Sequence, residues 1–133
     1  MSEARALDPA ASGPLVLLID DADDLRVLVG EFLQAHGFRV GTAKNGFEGV
    51  RAAVESRPDI ILMDLMMPGM DGVETTRHLK RQAVTAHIPI VAFTGESLVP
   101  DLARIQAKGF AGMITKPCDP QELLTTLRRL LVE

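Results

Sequence analysis

Two short apolar runs, each cut off by acid, constrain this chain most. Ile60 to Met63 is an unbroken run that ends at Asp64, and a loop containing Pro68, Gly69 and Gly72 follows. Leu15 to Ile19 is a second such run, and it ends at Asp20 and Asp21. Runs of this length are too short for helices, and unbroken apolarity implies burial on both faces, as in the strands of a parallel sheet. Carboxylates then lie at the carboxyl ends of buried strands, where open α/β sheets carry their chemistry. A strand-end Asp also serves as a turn starter or helix cap, so the rest of the chain must decide.

The remaining segments alternate in the same way. Leu25, Leu28, Val29, Phe32 and Leu33 recur at helical spacing, with Gly37 as the stop. Asp23 is the expected cap of this first helix. Arg39 to Ala43 is a short strand candidate. Asn45 caps a second helix whose expected buried face is Phe47, Val50 and Val54, closed by Pro58. Val73 to Gln82 is helical with a thin stripe of Val73 and Leu79. Ile88 to Phe93 is a fourth strand, ending at Thr94 and Gly95. A fourth helix carries Leu98, Leu102 and Ile105 and stops at Gly109. Gly112 to Thr115 is the fifth strand, followed by Lys116 and Pro117. Asp119, Pro120 and Glu122 start the last helix, whose apolar face is Leu123, Leu124, Leu127, Leu130 and Leu131.

Five strand–helix pairs predict an α/β fold: a five-stranded parallel, doubly wound sheet with helices on both faces. Right-handed crossovers favour the flavodoxin-like order 2-1-3-4-5. Residues 1–14 read as a loose N-terminal tail and 15–133 as one domain, a size that supports a real core. A net charge of −4 argues against nucleic acid or an anionic membrane as partner. No run is long enough to span a bilayer, and the start of the chain lacks the pattern of a signal peptide. The single Cys118 cannot form an internal disulfide. These features together predict a cytoplasmic protein.

In that strand order Asp20, Asp21 and Asp64 converge, with Thr94 and Lys116 arriving from the two strands beyond. Three close carboxylates repel one another, and the ammonium of Lys116 cannot balance all three. A hard divalent cation with oxygen ligands, Mg2+, completes such a cluster and attracts phosphoryl oxygens. A neighbouring carboxylate can then attack phosphorus to form an acyl phosphate, with Thr94 and Lys116 holding the remaining oxygens. The bland alternative is a set of unrelated strand-end caps.

Leu-Leu-Ile-Asp-Asp at 17–21, Leu-Met-Asp-Leu-Met-Met-Pro-Gly-Met-Asp-Gly at 62–72, Ile-Pro-Ile-Val-Ala-Phe-Thr at 88–94 and Thr-Lys-Pro at 115–117 supply the motifs. In this order and spacing, Leu15 to Leu131 resembles the CheY-like receiver domain of response regulators in bacterial two-component signalling. The resemblance implies that Asp64 takes a phosphoryl group from a histidine of a sensor kinase or histidine phosphotransfer protein. It further implies that Asp21, Asp64 and the Met66 carbonyl ligate Mg2+, with Asp20 assisting through water. Thr94 would bind the phosphoryl group, and Lys116 would pair with it ahead of a peptide bond to Pro117 that is often cis. Such a protein is a phosphoacceptor that assists its own phosphorylation and dephosphorylation rather than an enzyme. It would act as a monomer or weak dimer on an unknown downstream protein. The chain ends with its fifth helix, so no output domain is expected.

Three departures concern the readout. Gly95 stands where Ala is usual, Cys118 where a bulky apolar residue is usual, and Met113 where an aromatic ring is usual. Switching is therefore expected to fall on Gly95–Val99 more than on position 113. Two other readings compete. Asp21-Ala22-Asp23 fits the Asp-x-Asp spacing of haloacid-dehalogenase phosphatases, but Asp24-Leu25 follows instead of Gly-Thr. A flavodoxin-like FMN carrier would need a phosphate-cradling loop where Asp20, Asp21, Asp23 and Asp24 stand. His36, His78 and His87 read as solvated or capping residues, and Met63, Met66, Met67 and Met70 as filler.

Overall fold

The computed structural model describes residues 12–95 and 102–132. Five strands, β1 (Leu15–Ile19), β2 (Arg39–Ala43), β3 (Ile60–Met63), β4 (Ile90–Gly95) and β5 (Gly112–Lys116), form one sheet in the order β2-β1-β3-β4-β5. Every pairing is parallel. Five helices alternate with them: α1 (Asp23–Ala35), α2 (Gly46–Ser56), α3 (Gly72–Lys80), α4 (Leu102–Ala107) and α5 (Pro120–Leu131).

The two-residue period of the strands divides the core in two. Leu17, Ile19, Ile61, Met63, Ile90 and Ala92 face Ala53, Leu79 and Ile105 of α2, α3 and α4. Val16, Leu18, Ile60, Leu62, Val91, Phe93 and Ile114 face Val29 and Leu33 of α1 and Leu123, Leu124 and Leu127 of α5. Because both faces are covered, β1 and β3 read as unbroken apolar runs. Among the described residues, no helix is long and apolar enough to cross a membrane.

Local signals set most boundaries. Asn45 caps α2 by accepting from Glu48 N at 2.8 Å, and Asp119 caps α5 by accepting from Gln121 N at 2.9 Å. Gly37 and Gly109 sit at φ of 93° and 102° just past α1 and α4. Asp71 and Glu74 form a reciprocal capping box at the start of α3.

Several expectations are corrected. Asp23 does not cap α1: Ala22 holds the N-cap position, and Asp23 pairs with Arg26 inside the helix. Leu28 and Phe47 are exposed, at 68% and 64%, rather than core. The buried side of α2 is Gly46, Gly49 and Ala53: Gly49 meets the sheet, where a Cβ would lie only 2.6 Å from Ile19 Cδ1, and Gly46 meets Thr75 of α3. α3 ends at Lys80 instead of Gln82, and its thin stripe is completed by buried Thr75 and Thr76. β4 begins after Pro89, which has no N–H to give the ladder, although Ile88 is buried. It runs on to Gly95 because Gly95 pairs with Lys116. Leu98 and residues 1–11 lie outside the described residues.

Candidate functional site

Register brings the acids together. Ile19 pairs with Met63, so the next residues, Asp20 and Asp64, leave the sheet side by side. The Asp64 amide still donates to Ile19 O at 2.9 Å, and the Asp20 amide to Ala43 O at 3.1 Å. Asp20 and Asp64 are buried and Asp21 is exposed. Carboxylate oxygens of all three lie within 4.8 Å of one another.

Each buried acid is differently engaged. Asp20 accepts from Ala22 N at 2.9 Å through Oδ1 and from Lys116 Nζ at 2.7 Å through Oδ2. Asp64 Oδ1 accepts from Met66 N at 3.1 Å, with Lys116 Nζ 3.8 Å away. The ammonium of Lys116 therefore lies between two carboxylates, closer to Asp20. It also stands 5.2 Å from the Phe93 ring centroid, a cation–π contact, and the Lys116–Pro117 bond is cis.

Burial, then the Asp20 charge, pushes the Asp64 carboxyl up to about 6 from 3.8, and the Asp21 carboxyl adds to this. The Met66 N–H and the Lys116 charge pull the other way without cancelling it. Fully ionised, three carboxylates and one ammonium leave a net −2. Only oxygen donors face this space from the acids, the donor set that suits a hard divalent cation such as Mg2+.

Thr94 and Lys116 stand where their strands were expected to end. Thr94 follows Phe93 on β4, pairs with Thr115, and is fully buried with a hydroxyl that has no hydrogen-bond partner among the described residues. Buried hydroxyls without a partner are uncommon, and Thr76 carries the other one among the described residues. Met66 is 57% exposed.

Further residues build the site with little signal of that role in the sequence. Arg26 donates from one guanidinium nitrogen to Asp20 O at 2.7 Å and pairs with Asp23 through the other. Its i,i+3 spacing from Asp23 was the available hint. Gly72 is required by contact: a Cβ there would lie 2.3 Å from Asp64 O. The phosphatase reading finds no support, since Asp23, its second acid, turns out to Arg26.

The histidines do not enter the site. His36 is exposed and bonded to Phe32 O at 2.9 Å, and His78 and His87 are exposed. Cys118 packs against the α1–α5 side of the core, and burial, with Glu122 and Asp119, pushes its thiol up, away from the reactive thiolate. Met63 and Met67 are core, and Met113 packs against the α2–α4 side.

Residues 16–128 match the response regulator receiver domain family. The chain belongs to that family. Among its relatives is the protein PilH of Pseudomonas aeruginosa, 34% identical over 87% of this chain and 96% of that protein. The DNA-binding regulator RpaA of Synechocystis is 36% identical over 89% of this chain, which spans only 49% of RpaA. The receiver domain of the sensor histidine kinase PA1611 of P. aeruginosa superposes with a TM-score of 0.83. It is 31% identical and covers 92% of this chain and 100% of that domain, and it holds a magnesium ion in its active site cleft. This receiver domain is thus a phospho-accepting signalling module.

Proposed function

We propose that Asp64 is the phosphoacceptor, taking its phosphoryl group from a phosphohistidine of a sensor histidine kinase or histidine phosphotransfer protein. Asp20, Asp21, Asp64 and the Met66 carbonyl would hold Mg2+, which supplies charge neutralisation for phosphoryl oxygens. Asp64 attacks phosphorus through a carboxylate oxygen; the P–N bond to the donor imidazole breaks as the P–O bond forms. With its carboxyl at about 6, Asp64 is largely ionised at neutral pH and able to attack. Lys116, already tied to Asp20, balances charge on the transferred group, and the buried Thr94 hydroxyl donates to it. Domains of this type switch partner binding; the downstream partner here is read as a protein.

The observation that carries the reading is the convergence of three acids within 4.8 Å, with Lys116 between two of them. The test is incubation with acetyl phosphate and Mg2+, followed by intact mass. One hydroxylamine-labile phosphoryl group is expected on the unaltered chain and on Asp23→Asn, and none on Asp64→Asn or with EDTA. Full labelling of Asp64→Asn would overturn the assignment, and steady release of phosphate from many substrates would favour a phosphatase.

A further inference from the structure

Away from the acidic cluster, α3 and the end of α4 flank an open concavity of about 430 Å³. Its wall carries four cations, exposed Arg77, Arg81 and Lys108 and half-buried Lys80, with Val73 and Gly109 among the residues between them and no acid among the described residues. That is four of the chain's 14 Lys and Arg residues, gathered in one concavity of a protein whose net charge is −4. None of the four pairs with a carboxylate among the described residues.

Lys80 is the most constrained. Its ammonium donates to Ala86 O at 3.1 Å and Ile88 O at 3.0 Å, leaving one N–H uncommitted. Burial without a counter-ion holds its pKa below the usual lysine range. Gly109, at φ 102°, adds no side chain to the space beside Lys80, where a Cβ would come to 3.7 Å of Lys80 Cγ.

The bland account is that cations gather at helix C-termini, and all four fit it: Arg77 and Lys80 lie in the last turn of α3, Arg81 is its C-cap and Lys108 directly follows α4. Two helix ends offer at most about −0.5 charge each. Four cations against that leave a surplus of about three positive charges in a half-enclosed space. Arg77 and Arg81 are four residues apart, and Arg81, the C-cap of α3, keeps helical dihedrals, so their planar forks start one turn apart on the same side, a spacing suited to bidentate grip on tetrahedral oxyanions. The cavity lies in the size range of small-ligand sites, and the acidic remainder of the protein would repel a long polyanion.

We propose that the α3–α4 cavity binds a small soluble molecule carrying two or more phosphoryl groups. Pyrophosphate, ADP and inorganic phosphate are the probes, titrated into the full chain in EDTA-containing, low-salt buffer and followed by calorimetry and amide NMR. Saturable pyrophosphate binding is expected, with shifts centred on residues 77–81 and 107–109, and inorganic phosphate should bind at least about tenfold more weakly. ADP binding at the same residues would show that a phosphoryl chain on an organic group is accepted. Arg77→Ala with Arg81→Ala, and separately Lys108→Glu, should each weaken pyrophosphate about tenfold or more. Lys80 is left intact in these variants because it ties the chain at Ala86 and Ile88, and unchanged thermal unfolding verifies their fold. No saturation at millimolar probe, shifts elsewhere, equal affinity for inorganic phosphate, or unchanged affinity in the folded variants would each overturn the proposal.

Discussion

Replacing Asp64 by Asn should stabilise the metal-free protein, in a strongly pH-dependent way. In the folded state burial and Asp20 hold the Asp64 carboxyl at about 6, against 3.8 in an unstructured chain. Its ionised form is therefore disfavoured by folding. The sign follows from proton binding: between 3.8 and about 6 the folded state holds the proton more tightly, so stability falls as pH rises through that window. Above it the full cost applies, about 3 kcal/mol at pH 8. At pH 4.5 only about 1 kcal/mol remains. Asn keeps an oxygen to accept from the Met66 N–H, and its amide can donate to the Asp20 or Asp21 carboxylate, so the packing is retained. Urea denaturation with EDTA at the two pH values measures the difference. Asp64→Asn should gain about 2–3 kcal/mol at pH 8, or roughly 6–12 °C in Tm for a domain of this size. The gain should shrink to about 1 kcal/mol or less at pH 4.5. Saturating Mg2+ should also narrow the gap, since a bound ion stabilises the native Asp64 protein more. An equal gain at both pH values, or a loss at pH 8, would refute the electrostatic reasoning.

Three other outcomes follow from the same geometry. Lys116→Arg keeps the charge but replaces a compact ammonium held 2.7 Å from Asp20 with a planar fork, so Mg2+ binding should persist while phosphorylation-dependent partner binding fails; pull-down of phosphorylated variant and parent compares them. Gly72→Ala drives a Cβ into the Asp64 carbonyl and should cost about 1–3 kcal/mol and weaken Mg2+ binding, both readable by denaturation with and without metal. Beryllofluoride, a phosphoryl mimic, should shift amides over Gly95–Val99 more than the Met113 methyl, whereas unshifted amides there and a strongly shifted Met113 would place the readout at the methionine.

The fold was largely legible because three of its strands, β1, β3 and β4, are short and buried on both faces. Leu15–Ile19 and Ile60–Met63 announce their own ends, and those ends fix Asp20, Asp21 and Asp64. Thr94 was legible for the same reason, whereas Lys116 ends the short, half-buried β5 and was placed by the alternation of strands and helices. Helix faces were harder to read. The stripe of α1 suggested Leu28 and that of α2 suggested Phe47, but only three-dimensional packing shows that α2 comes so close to Ile19 that glycine is needed. Asp23 was read as a cap because acids before helices usually are. The amide of Ala22 is instead taken by Asp20, one of the site acids, a choice made by the strand end. Arg26, Phe93 and Gly72 act through contacts to residues whose nearness depends on the fold, and single-residue patterns carry no trace of that.

Borohydride reduction of the phosphorylated protein, followed by peptide mass spectrometry, tests the central claim most directly. An aspartyl phosphate is reduced to homoserine, which marks the residue that held the phosphoryl group. Homoserine at position 64 alone, lost when Mg2+ is withheld, is the predicted result. Homoserine at Asp20 or Asp21, or a label on a histidine with none on Asp64, would contradict the account.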